Sequence, residues 1–172
     1  MEAILPGLAV TANLHPIFVH LPLALWPCAM LFWVLALLRR SETLWRAGCW
    51  VLYAALVGSM LATGTGLWAE EQLGHDSPAH DLVHVHRTWM LWASVLGALT
   101  ALGAFALRRS RTRASRGALI ALLGVVLLVG TLGADRGALL VFGHGVGSQR
   151  EPPPAAGAES HADEHGEHGT HP

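Results

Sequence analysis

Residues 117–134 read GALIALLGVVLLVGTLGA, without one ionisable side chain. A bilayer's hydrocarbon core is crossed by about 20 helical residues, so a stretch of this kind reads as a membrane span. Three more segments meet the same test: Pro16 to Leu38, Leu44 to Trp68 and Val83 to Leu107. The sequence therefore predicts an all-α integral membrane four-helix bundle over residues 1–147, with spans at about 16–38, 44–68, 83–107 and 117–134. Composition agrees. Hydrophobic residues make up 52% of the 172-residue chain and charged residues 13%, half the share of an ordinary soluble domain.

All eleven basic residues are Arg, and the net charge is -1, which removes the basic face that nucleic acid requires. The two cysteines, Cys28 and Cys49, exclude a disulfide-built scaffold, and no CxxC or CxxCH string offers a zinc knuckle or a haem attachment. No Ser-His-Asp arrangement, phosphate loop or paired-carboxylate motif stands out, so a binding or electron-transfer subunit is expected rather than a stand-alone catalyst.

Arginine sets the expected orientation, because short cytoplasmic loops retain positive charge. Arg39, Arg40 and Arg46 follow the first span, and Arg108, Arg109, Arg111, Arg113 and Arg116 follow the third. Both loops are expected inside. The loop AEEQLGHDSPAHD has no Arg, so it and both termini are expected outside. Met1 to Leu14, with neither Lys nor Arg, reads as an entry segment rather than a cleaved signal peptide.

Small residues recur every fourth position at Ala54, Gly58, Ala62 and Gly66, and again at Ala93, Gly97 and Ala101, a spacing that lets helices approach closely. Pro16, Pro22 and Pro27 should kink the first span or leave carbonyls unpaired. After Gly147 the composition turns to Pro, Gly, His and acids, which bury no core. Residues 148–172 are expected to be a disordered tail, with His161, His165, His168 and His171 as a loose metal-chelating tract.

Seven histidines of the folded part fall on the expected outer side: His15, His20, His75, His80, His84, His86 and His144. Ionisable side chains at membrane depth usually face a bundle interior or a bound group, so a polar site is expected there. Arg87 and Arg136 lie at outward span ends, against the charge bias, and are candidates to neutralise an anion such as a haem propionate. The competing reading of Arg136 is an ion pair with Asp135, or snorkelling to the headgroups.

The strings HPIFVHLPLAL, GTGLWAEEQL with HDLVHVHR, and GADRGALLVFGHGVG resemble a bacterial membrane-protein family called domain of unknown function 2231, over roughly residues 13 to 147. The resemblance implies a four-span protein of the bacterial inner membrane and puts His15, His20, His86 and His144 at the family's recurrent polar positions. Similar domains occur fused to c-type cytochrome modules, which implies electron transfer. Lacking a haem-attachment motif, this chain needs a separate c-type cytochrome or other membrane redox subunit as partner.

Three readings follow. In the first, haem b is clamped axially by His20 and His86, with His84 as the substitute for His86. Arg87 then answers a propionate, His15 caps its helix, and His144 folds back as a donor orienting a ligand imidazole. In the second, the cluster binds Zn or Cu with help from Glu70, Glu71 or Asp76. In the third, the chain is an assembly subunit in the lipid bilayer, its small-residue ladders packing within one chain or between copies in a homo-oligomer.

Overall fold

A computed structural model describes residues 13–73, 79–110 and 112–146, and the tail with its four histidines lies outside the described residues. The chain forms α1 (His15–Phe18), α2 (His20–Arg39), α3 (Glu42–Leu73), α4 (His80–Ala106) and α5 (Arg113–His144). α1 and α2 act as one span of 25 residues, and among the described residues four helices are long and apolar enough to cross a membrane. The protein is a multi-pass membrane protein with a four-helix bundle architecture.

Proline explains the joint inside the first span. Val19 keeps helical angles, φ -62° and ψ -26°, so the chain runs on without a corner. Pro22, three residues further, has no N–H to offer the Phe18 carbonyl, and the regular ladder is interrupted there. Pro27 sits inside α2.

α2 and α3 are joined by Arg40 and Ser41 alone. Arg40 turns the chain at φ 51°, a left-handed conformation uncommon outside glycine, while Ser41 N–H closes back on the Ala36 carbonyl at 3.0 Å. Ser41 Oγ then accepts Leu44 N–H at 3.3 Å and starts α3. α5 begins on Thr112, whose side chain accepts Ser115 N–H, and ends on Gly145 at φ 67°.

The fourth helix differs from the expected span of 117–134: it continues for ten residues to His144. Nothing in ADRGALLVFGH stops a helix, and at about 1.5 Å per residue a helix of this length exceeds a hydrocarbon core of about 30 Å. His144 therefore closes α5 as an exposed residue instead of folding back.

Each helix has two lateral neighbours, in the order α2, α3, α4, α5 and back to α2. The core follows the close approaches that glycine allows. Trp33, fully buried, stacks on Trp45 with ring centres 4.8 Å apart and planes 10° from parallel. Gly48 faces that indole, and Gly97 faces Trp26. Of the expected ladder in α3, Gly58 and Ala62 are buried whereas Ala54 is exposed. Steps of four residues drift around a helix of 3.6 residues per turn, so a strict four-residue ladder leaves the packed face.

At the arginine-rich end Arg116 Nη2 donates to Glu42 Oε1 at 2.6 Å, and its guanidinium lies 4.7 Å over the Trp45 ring. Glu42→Ala removes the carboxylate partner of an arginine whose side chain is 11% exposed. Discounted for the half-open carboxylate, the expected loss is about 1 to 2 kcal/mol. Thermal unfolding in detergent measures it, and an unchanged midpoint argues against a structural role for the pair.

Candidate functional site

At the end of the bundle opposite Arg116, two histidines turn inward. His15, in the first turn of the first span, places Nδ1 2.9 Å from the Ala62 carbonyl of α3. His86, two turns into α4, places Nδ1 2.8 Å from the Gly133 carbonyl of α5. A carbonyl only accepts, so both Nδ1 atoms carry the proton and donate. In each neutral ring the lone pair is thereby left on Nε2. The two ring centres stand 6.4 Å apart with their planes at 80°.

Glycine makes both seats. A Cβ on Gly66 would come within 2.9 Å of His15 Cε1, and one on Gly137 would come equally close to His86 Cε1. Each imidazole therefore lies against bare backbone one turn beyond the carbonyl that holds it. Thr65 Oγ1 donates to the Leu61 carbonyl at 2.8 Å and lies 3.1 Å from Ala62 O. Met90 fills the space beside Gly133.

A strip of polar side chains runs along the α3–α4 seam. Ser59 Oγ donates to Ser94 Oγ at 2.8 Å, and Thr63 Oγ1 lies 3.2 Å from the same atom. Further along, Arg87 Nη1 donates to Glu70 Oε1 at 2.9 Å, and His84 Nδ1 lies 3.4 Å from that oxygen. His84 Nε2 meets His80 Nε2 at 2.9 Å. Two residues apart on a helix means nearly opposite directions, so His84 and His86 diverge as their spacing requires.

The expected ligands are thus sorted. The structure brings His15, not His20, opposite His86. His20 is exposed, one residue past the joint at Val19. His84 belongs to the Glu70 and Arg87 cluster, His144 is exposed at the end of α5, and Arg136 pairs with Asp135 at 2.7 Å. His75 and Asp76 lie outside the described residues. Among the described residues, no three or more His, Cys, Asp and Glu side chains converge as a metal-holding set.

Sequence reasoning gave His15 the lesser part because it sits beside Pro16 at a helix entry. The missed signal was the glycine one turn beyond each accepting carbonyl, Gly66 and Gly137, which has meaning only once the helix pairs are known.

The model of a predicted membrane protein family, DUF2231, matches residues 11–150. No curated protein and no solved structure shows a significant match. With most of its length covered by that model, the chain belongs to the DUF2231 family of predicted membrane proteins.

Proposed function

We propose that the protein binds haem b between His15 and His86 and passes electrons to a c-type cytochrome or another membrane redox subunit. The observation that carries this reading is the matched pair of imidazoles: each comes from a different span, each donates its Nδ1 proton to a helix carbonyl, and each keeps Nε2 as the free nitrogen. A second hydrogen bond of that kind is what orients ligating histidines and raises their basicity. The ring centres lie 6.4 Å apart with planes at 80°, near enough for both imidazoles to reach one bound group. Haem requires only two protein donors, whereas a zinc centre takes three or four. When bound, the group supplies one-electron chemistry. The chain's residues hold the ligand nitrogens, and the flexible Met90 thioether is the side chain able to yield space.

The test is the reduced-minus-oxidised visible spectrum of detergent-purified protein made with ample haem supply. A band typical of bis-imidazole haem is expected, and no haem absorption at all overturns the reading. Copper or zinc retained in place of haem, by metal analysis of protein ended at Gly147, makes the two imidazoles an ion site. Metal lost with that truncation belongs to His161, His165, His168 and His171.

We further place the histidine end on the periplasmic face of the bacterial inner membrane, on the strength of eight arginines at the opposite end. In a cysteine-free background, Asp81→Cys is expected to react with an impermeant thiol reagent added to intact cells, and Ser115→Cys to stay protected. The reverse pattern inverts the orientation.

A further inference from the structure

The two imidazole seats are copies of each other. His15 reaches a carbonyl 47 positions further along the chain, and so does His86. A shift of 71 positions, the distance from His15 to His86, also carries Ala62 to Gly133 and Gly66 to Gly137. The same shift superposes the cores. Trp45, Gly48, Leu52, Ala55, Ser59 and Ala62 of α3 map onto Arg116, Leu119, Leu123, Val126, Gly130 and Gly133 of α5, and both sets are buried. In the other pair of helices Pro22, Trp26, Ala29 and Trp33 map onto Ala93, Gly97, Thr100 and Ala104, again all buried. Helical periodicity makes burial recur within one helix, but it does not give two helix pairs a common register.

An independent observation fixes the geometry. Positions related by the shift meet one another at three depths: His15 faces His86, Trp26 lies against Gly97, and Arg116 covers Trp45. A position touches its own equivalent only where a two-fold axis passes between them. The cyclic order of neighbours, with α2–α3 repeated as α4–α5 and α3–α4 as α5–α2, fits the same axis.

Along the α3–α4 seam the departures from symmetry share one character. Ser59, Thr63, Glu70, Arg87 and Ser94 line the α3–α4 seam, and their equivalents are Gly130, Ala134, Val141, Pro16 and Leu23. One side of the axis is polar and the other carries no polar side chain at any of these positions. We infer that the chain is a tandem duplication of a two-helix unit, and that its histidines are a two-fold clamp for one planar group whose carboxylate edge lies on the α3–α4 side at Arg87. This rests on the haem reading for the nature of the group. Arg87 engages Glu70 through Nη1 and retains further N–H donors for a second anion.

The experiment titrates the full-length, haem-depleted protein with iron protoporphyrin IX and, separately, with its dimethyl ester, which lacks the two carboxylates. Wild type is expected to bind both. His15→Ala and His86→Ala should each weaken both ligands, and to a similar degree. Arg87→Met should weaken the free acid about tenfold and leave the ester within about twofold, with Arg87→Lys restoring most of the loss. Variants are compared only where they elute as the wild type does. Equal weakening of acid and ester by Arg87→Met, or no weakening of either, overturns the placement of the acidic edge. One histidine variant binding like wild type overturns the two-fold clamp. The first result leaves the haem reading standing, the second overturns the assignment of its two histidines, and a wild type that binds neither porphyrin removes the reading itself.

Discussion

Under the haem reading, alanine at His15 or at His86 is expected to lower haem content sharply, while alanine at His20 leaves it unchanged. The difference lies in where each ring can go. His15 and His86 are held by carbonyls at 2.9 and 2.8 Å and face each other across the bundle, whereas His20 is exposed. On the haem reading each of the two would supply one nitrogen to the group, and losing either would leave only one. Glycine gives a second arm to the prediction: Gly66→Leu or Gly137→Leu should displace the adjoining ring and reduce haem content without changing either histidine, because a Cβ at either site already falls within 2.9 Å of Cε1. Haem content per protein, by the pyridine haemochrome assay, measures both. Full haem content in His15→Ala, or its loss in His20→Ala, overturns the assignment.

Gly48→Ala is expected to be the most damaging small substitution in the core. The added Cβ would stand 2.5 Å from Trp33 Cδ1 and 2.8 Å from its Nε1. Trp33 cannot move aside, since it is fully buried and stacked on Trp45. Overpacking of this kind costs about 3 kcal/mol. Helix association in lipid depends on close packing, so the α2–α3 pair should loosen as a unit. Adding Trp33→Leu to Gly48→Ala should recover part of the loss, because the two sites share one contact and their effects are coupled. Denaturation in detergent measures the single and double variants, and a neutral Gly48→Ala shows that the helices are not in this close contact.

The membrane spans were readable because hydrophobicity over about 20 residues depends on composition, not on neighbours. The helix ends were readable only in part. Ser41 and Thr112 start helices by side-chain caps, but Arg40 in a left-handed turn has no sequence signature. The continuation of α5 through Asp135 and Arg136 was missed because a hydropathy reading stops at the first charges, while a helix stops only where its hydrogen bonds do.

By itself the sequence determined that this chain crosses a membrane four times as helices, and that the seven histidines before the tail fall at one end of the spans and eight of the eleven arginines at the other. Those properties follow from transfer energies, which belong to each segment separately. Only the tertiary structure decided which histidines meet. His15 and His20 are five positions apart, and the helical period turns one toward α3 and leaves the other exposed, a choice that rests on the rotation of the first span against Gly66. The two-fold arrangement was hidden for the same reason. Identity between the halves survives at a few positions, such as Leu52 with Leu123 and Gly66 with Gly137, whereas packing conserves size and depth, and those are properties of pairs of helices rather than of residues in a row.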